Sequence, residues 1–364
     1  MKEKKLVYIF LIIAISFTLF LPVLNIYFAS KNSKINSHHF TKNRLFSTDN
    51  LESVINYFIY KTFNFSLNEH QVIAGKDNYF FLGNGFARII DKMEGTFPYG
   101  DRDIEVWSEK LQKLQEWYEK QGIEFIIVIA PNKHTIYNDK LPESIVYKEG
   151  ATTTDNIVKA SLEKDIHILN LKKVLREQKD KQLYFHTDTH WNSYGASIGY
   201  NHAMQFLNRT YGKKYNIPKY TLKEKKSAGG GDLTNFLKIN HFLTNSYEKN
   251  YDFIFNNKSK MCYGEITKDN KLKKCTHGNK NKFNQYSING NAQNKENLLY
   301  LCDSFGTGNS KLYEETFNTI WRFHISYSHG SFLADFIKEH KPDVVIYQVV
   351  ERDLGNNTVI DDIP

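Results

Sequence analysis

The chain has 364 residues, enough for one large domain or two small ones with a full hydrophobic core. Hydrophobic residues make up 41% and charged residues 24%, which excludes a disordered chain and a polytopic membrane protein. The net charge of +8 comes from Lys scattered along the chain, without blocks of like charge or zinc spacing, which argues against nucleic-acid binding; three Cys exclude a disulfide scaffold and an all-cysteine four-ligand metal site.

Leu6 to Ala29 carries no charge, and only Ser16, Thr18, Pro22 and Asn25 interrupt its apolar run. As a helix this stretch is about 36 Å long, enough for a hydrocarbon core of ~30 Å. A cleaved signal sequence would have a shorter apolar region of ~7–15 residues and a small-x-small exit. A cut after Ala29 would instead place Tyr27 three residues before it. Residues 1–30 therefore read as an uncleaved single-pass anchor. Lys2, Lys4 and Lys5 precede the span and Lys31, Lys34, Lys42 and Arg44 follow it, so the basic count does not decide its orientation. The very short tail ahead of the span favours a cytoplasmic N-terminus and an extracytoplasmic remainder.

Residues 31–70 read as a polar linker followed by a short amphipathic helix over 51–70, and 71–364 as the catalytic domain. From Asp103 to Gln121, Ile104, Trp107, Leu111, Leu114, Trp117 and Tyr118 recur at helical spacing, and Gly122 offers a left-handed stop. Phe125–Ala130 is continuously apolar and mostly β-branched, the mark of a strand buried on both faces. Ile166–Leu171, Leu298–Cys302 and Asp343–Val350 are further strand candidates, with helices expected over 151–164, 192–208 and 309–340. Such alternation predicts a mostly parallel sheet with helices on both faces, whose sites form beyond the carboxyl ends of the strands. Cys262 and Cys275 share a Lys/Asn-rich stretch; a disulfide and two free thiols both fit.

Beyond the third strand comes Cys302-Asp303-Ser304-Phe305-Gly306-Thr307-Gly308. A Ser on a strand-to-helix turn lifts its hydroxyl above the sheet edge, beside backbone N–H groups that can hold an oxyanion. This is the logic of a nucleophile elbow without the G-x-S-x-G pattern; a helix-capping Ser is the structural alternative. In Phe185-His186-Thr187-Asp188-Thr189-His190-Trp191-Asn192, Asp188 can hold one imidazole nitrogen of His190 and leave the other to accept a serine proton. Chance supplies about one acid-x-His pair in such a composition. Asp165-Ile166-His167 is a second pair, and it opens a strand-like run that reads as structural. Asn132 and Lys133 follow the first strand and Arg352 the fourth, all at carboxyl ends. Ala228 to Asp232 holds three glycines that permit close approach to a ligand or form a plain turn. No Gly-Lys-Ser/Thr follows them, which excludes a phosphate loop, and no H-E-x-x-H or compact His/Cys cluster supports a metal.

The segments Val72–Leu82, Ala130–Tyr137 with Leu141-Pro142, Thr187-Asp-Thr-His-Trp191, Gly231-Asp-Leu233, Asp303-Ser304 and Val349-Val-Glu-Arg352 together resemble the AlgX/AlgJ family of SGNH-hydrolase-like polysaccharide O-acetyltransferases. Their order, with the Asp/His pair about a hundred residues ahead of the serine, is that of the permuted branch. The resemblance implies an α/β, flavodoxin-like three-layer fold and a triad of Asp188, His190 and Ser304. Asn132, Trp191, Gly231 and Arg352, by residue type and position, are the substrate or oxyanion candidates, and no cofactor is expected. The implied reaction moves acetyl onto hydroxyls of an exported or cell-surface polysaccharide, with an AlgI-like membrane-bound O-acyltransferase as the acetyl source. Cys302 departs from the small residue commoner before that Asp, and residues 241–297 match no family segment. The carbohydrate-binding module of AlgX has no counterpart after Arg352, so the layout is nearer AlgJ. A carbohydrate acetylesterase with the same triad and a non-catalytic glycan-binding assembly protein are the alternative readings.

Overall fold

The computed structural model describes residues 2–32, 40–226, 230–243, 248–257, 259–267, 271–276, 284–327 and 330–355. Lys34 and two residues of the glycine loop, Ala228 and Gly229, lie outside them. Numbering the longer helices only, the chain runs α1 (Lys2–Asn32), α2 (Asp49–Phe63), β1 (Val72–Ala74), β2 (Phe80–Leu82), α3 (Asp101–Glu119), β3 (Glu124–Ala130), α4 (Thr153–Leu162), β4 (Ile168–Asn170) and α5 (Ser193–Tyr211). There follow β5 (Tyr220–Lys226), β6 (Lys249–Phe255), β7 (Met261–Glu265), β8 (Gln285–Asn289), β9 (Asn297–Cys302), α6 (Gly306–Thr316), β10 (Thr319–His324), α7 (Gly330–His340) and β11 (Val344–Val350).

A seven-stranded sheet has the order β4-β3-β11-β9-β10-β8-β7. Its first five strands are parallel, while β8 and β7 extend it antiparallel. Period-two alternation divides the strand side chains between two cores. Ile126, Val128, Leu298, Tyr300 and Ile346 meet Met204 and Leu207 of α5 and Leu312 of α6 on one face. Phe125, Ile127, Leu299, Val345 and Tyr347 meet Leu111 of α3, Ile157 of α4 and Phe336 of α7 on the other. Helices cover both faces, as parallel strands require. Gly122, just past α3, takes φ +76°.

The expected helical stretch 309–340 is corrected: it contains β10 between α6 and α7. This six-residue strand carries a buried arginine, Arg322, whose Nη1 donates to Ser310 Oγ at 2.8 Å, so it lacks the continuous apolar run of its neighbours. The Lys/Asn-rich stretch supplies β6, β7 and β8, and Cys262 is disulfide-bonded to Cys275 beside that edge.

Register fixes what shares the carboxyl edge. Ala130 of β3 pairs with Val350 of β11, and Gln348 of β11 pairs with Cys302 of β9. The segments that begin at Asn132, Glu351 and Asp303 therefore leave the sheet side by side.

Candidate active site

Ser304 sits on the turn between β9 and α6, partly exposed. The residue preceding α6 is Phe305, and no side chain caps that helix. The local turn is held instead by Asp303, whose Oδ1 accepts the Phe305 N–H at 2.8 Å and whose Oδ2 accepts the Val350 N–H at 2.5 Å. Burial pushes the Asp303 carboxyl up to about 6, against the pull of the Val350 N–H and the Arg352 charge. Ser304 is thus released from capping. Its Oγ lies 2.8 Å from His190 Nε2, and His190 Nδ1 lies 2.7 Å from Asp188 Oδ1. Burial works against ionising Asp188, but the hydrogen bond and charge of His190 and the N–H groups of His190 and Asp232 outweigh it and hold the carboxyl at about 2. The arrangement suits proton transfer from the hydroxyl to an oriented imidazole.

The loop that carries Asp188 and His190 is clamped by charges of both signs. Lys133 Nζ donates to the carbonyls of Phe185, His186 and Asp188 at 3.0, 3.1 and 2.7 Å. Burial pushes that ammonium down to about 8, with Glu248, Asp232 and Asp188 opposing the shift. Glu248 accepts the His186 and Thr187 N–H groups at 3.0 and 2.8 Å and the Thr187 hydroxyl at 2.6 Å. Asp232 accepts the Thr189 N–H and hydroxyl, both at 2.7 Å. Sequence reasoning placed Lys133 at the strand end without a role and missed Glu248 altogether. Glu248 lies in a polar stretch with no local pattern around it.

Asp188, His190 and Asp232 place ligand-type atoms within 4.8 Å of one another. A cation there would compete with the bonds already made: Asp188 Oδ1 to His190, Asp188 Oδ2 to the Asp232 N–H, and Asp232 to Thr189.

The remaining candidates separate by position. Asn132 is buried, its N–H donates to Glu351 Oε2 at 2.8 Å, and its Oδ1 faces Arg352 Nη1 at 3.4 Å. Neither Asn132 Nδ2 nor the Ser304 N–H has a partner among the described residues, which leaves two donors at this edge. The Arg352 guanidinium lies 5.5 Å over the Phe305 ring. Trp191 is buried, with Nε1 donating to the Phe305 carbonyl at 3.0 Å, and it wedges between α5 and α6 rather than facing a ligand. Gly231 packs on the Asp188 backbone: a Cβ there would lie 2.4 Å from Asp188 Cβ. His167, of the second acid-x-His pair, meets Tyr211 and Glu119 at the amino edge of the sheet, the edge opposite Ser304. Two surface cavities of about 860 and 410 Å³ share Pro218 and Lys219, and neither is lined by Asp188, His190 or Ser304.

A family model described as "SGNH hydrolase-like domain, acetyltransferase AlgX" matches residues 72–258, half of the chain. The match includes Asn132, Asp188, His190 and Gly231 and ends before Ser304. Among solved structures, Bacillus cereus PatB1 is similar with a TM-score of 0.58 at 17% identity, over 78% of this chain and 96% of that one. The same protein with a sulfonyl adduct gives 0.57 at 17% identity, over 80% and 100%. A DHHW family protein from Eubacterium siraeum gives 0.56 at 16% identity, over 81% and 96%. No curated protein matches the sequence. At these identities the structural likeness concerns the fold, an SGNH-like α/β architecture with a mostly parallel central sheet. With the family match across half its length, the chain belongs to the AlgX family of SGNH hydrolase-like acetyltransferases.

Proposed function

We propose that this protein is a membrane-anchored O-acetyltransferase that moves acetyl, through a serine acyl-enzyme, onto hydroxyls of an exported or cell-surface polysaccharide. The observation that carries the reading is the hydrogen-bonded run from Asp188 through His190 to Ser304. His190 Nε2 takes the hydroxyl proton as Ser304 Oγ attacks the acetyl carbonyl. The Ser304 N–H and Asn132 Nδ2, the latter turned by Arg352, stabilise the oxyanion. Collapse expels the donor's leaving group, which takes the proton from His190 and leaves acetyl on Ser304. A sugar hydroxyl then gives its proton to His190, attacks the ester, and departs as the acetylated glycan while Ser304 is reprotonated. Asp188 stays ionised throughout and holds the imidazole.

The anchor reading is supported by the 27-residue stretch Lys5–Lys31, whose most apolar 18-residue window has a mean hydropathy of 2.6. The Cys262–Cys275 disulfide supports an oxidising, extracytoplasmic location for the domain. An AlgI-like O-acyltransferase in the same membrane would supply acetyl close to Ser304.

The test uses the full chain in detergent with an activated acetyl ester, with and without acceptor oligosaccharide. Mass spectrometry should place one acetyl group on the Ser304 peptide, and Ser304→Ala should lower kcat by about 10⁴–10⁶-fold. Acetyl must then appear on the sugar. Release as acetate alone in the presence of acceptor makes the protein an esterase, and full turnover in Ser304→Ala overturns the triad. A melting temperature unchanged in the variant separates loss of chemistry from loss of fold.

A further inference from the structure

Helix α2 turns a mixed face to the domain: the Ser53 hydroxyl donates to the Lys238 carbonyl, Asn56 Nδ2 donates to the Leu237 carbonyl at 2.9 Å, and the buried Tyr60 ring packs on Phe80 at 4.8 Å while its hydroxyl donates to Asn78 Oδ1 at 3.0 Å. The stripe pointing away from the domain is apolar, with Val54, Ile55 and Phe58 at helical spacing and Phe63 at its end. Phe58 is 59% exposed and Phe63 65%. Phe40, Phe46, Phe65 and Leu67, on the flanking turns, are exposed as well. Isolated exposed apolar residues are ordinary, but eight large ones within one short segment are not.

The position of this surface follows from its ties to α1. About 20 helical residues cross a ~30 Å hydrocarbon core, so counting from Leu6 the boundary falls at Asn25. Asn25 is the polar residue that breaks the apolar run there, and it is fully engaged. Its Nδ2 donates to the carbonyls of Leu45 and Ser47 at 2.8 and 2.9 Å, and its Oδ1 accepts from Asn50 Nδ2 at 2.8 Å. One turn further, Phe28 is buried against His241 and Phe242, and Phe242 stacks on Tyr57 at 4.5 Å. Asn50 binds Asn25 directly and Tyr57 reaches Phe28 through Phe242, so α2 is held beside the anchor where the boundary falls. The exposed basic residues Lys31, Lys42, Arg44 and Lys61 lie in the same segments, as anionic headgroups favour, while Asp49 and Glu52 of α2 are paired with Lys238.

We infer that α2 and its flanking turns form a second membrane-contact surface, which lays the catalytic domain against the lipid bilayer in one fixed orientation. The inference rests on α1 spanning the membrane and goes beyond it, since an anchor alone would leave the domain free to tumble on its linker. A surface pinned in this way would hold Ser304 at a constant height above the plane in which a membrane-embedded acetyl donor works.

The experiment places one nitroxide at a time in the full chain, reconstituted in phosphatidylcholine/phosphatidylglycerol vesicles. The sites are Phe17→Cys in α1, Phe58→Cys in α2 and Val146→Cys, an exposed apolar residue elsewhere on the domain. The native thiols do not interfere, because Cys302 is buried and the other two are bonded to each other. Collisions with oxygen and with a water-soluble nickel chelate are then compared. The label at 58 is expected to favour oxygen, as at 17, while the label at 146 favours nickel. Nickel access at 58 equal to that at 146 overturns the inference while leaving the anchor intact. Shielding at 58 from both reagents also overturns it and assigns the patch to a second copy of the chain. Nickel access at 17 instead removes the anchor reading itself.

Discussion

Ser304 and Cys302 stand two residues apart in opposite surroundings. Cys302 ends β9 with its side chain in the core, and burial pushes its thiol up to about 12. At pH 8 the thiolate fraction is on the order of 10⁻⁴, so iodoacetamide should leave Cys302 unmodified in the native protein and alkylate it after denaturation. Peptide mass mapping reads both states. Rapid native labelling at pH 8 would contradict the burial. A sulfonyl fluoride should in turn mark Ser304 and spare Ser304→Ala. Asp188, held at about 2, is ionised at every working pH, whereas Asp165 lies at the other sheet edge. Asp188→Ala should lower acetyl turnover by about 10⁴-fold, the scale expected when an imidazole loses its orienting carboxylate. Asp165→Ala should keep turnover and alter only the melting temperature. Retained turnover in Asp188→Ala with loss in Asp165→Ala would reverse the assignment.

Among the elements, the 185–190 loop is the one whose geometry decides the chemistry, and Gly231 shows how little room it has. An alanine Cβ would fall 2.4 Å from Asp188 Cβ and 2.5 Å from the Thr187 carbonyl oxygen, neither of which is the free end of a flexible side chain. Gly231→Ala must therefore move the loop. Displacement by about 1 Å is expected to lower kcat by about 10²-fold. KM should change far less, a split that steady-state kinetics resolves. Thr-Asp-Thr-His-Trp was legible because the Asp188–His190 bond spans two residues and is written locally. The clamp was not legible. Lys133 reaches across 52 to 55 residues, and Glu248 across 61 and 62, so no window along the chain contains either contact.

At the scale of the whole molecule, the antiparallel extension of the sheet depends on two covalent and ionic details. The Cys262–Cys275 bond closes a short loop, 13 residues in separation, beside edge strand β7. Chain-entropy arguments assign about 3 kcal/mol to a loop of this size. Reduction should therefore lower Tm by several degrees, and hydrogen exchange should rise first in β7. Beneath that edge Glu314 accepts a hydrogen bond from the Tyr263 hydroxyl at 3.2 Å, and burial pushes its carboxyl up to about 7 from an ordinary 4.5, with Arg322 opposing. The folded chain keeps this proton where the unfolded chain has lost it, so stability falls as pH rises from about 4.5 to about 7. Glu314→Gln should gain Tm relative to the parent at pH 8 and not at pH 4.5. An equal effect at both pH values would show that Glu314 is not the titrating group.

The sequence by itself determined the three doubly buried parallel strands β3, β9 and β11, because a strand covered on both faces announces itself by apolar content alone, whatever packs on it; β4, at the sheet edge, is only partly buried. It determined the uncharged span of α1 for the same reason, and the Asp188–His190 pair because its bond is local. Only the tertiary structure decided which residue caps the elbow, since Asp303 and Ser304 both suit a turn, and it is the Val350 N–H from a neighbouring strand that claims Asp303. Only tertiary structure revealed β10, whose buried Arg322 donates from Nη1 to a hydroxyl on α6. The amphipathic pattern of α2 was visible, but amphipathicity does not say which side faces in. Here hydrogen bonds to the 237–238 carbonyls and the packing of Tyr60 on Phe80 hold the Ser53–Tyr60 side inward and turn the stripe of Val54, Ile55 and Phe58 out. Those carbonyls lie almost two hundred residues away, and no local pattern encodes the choice.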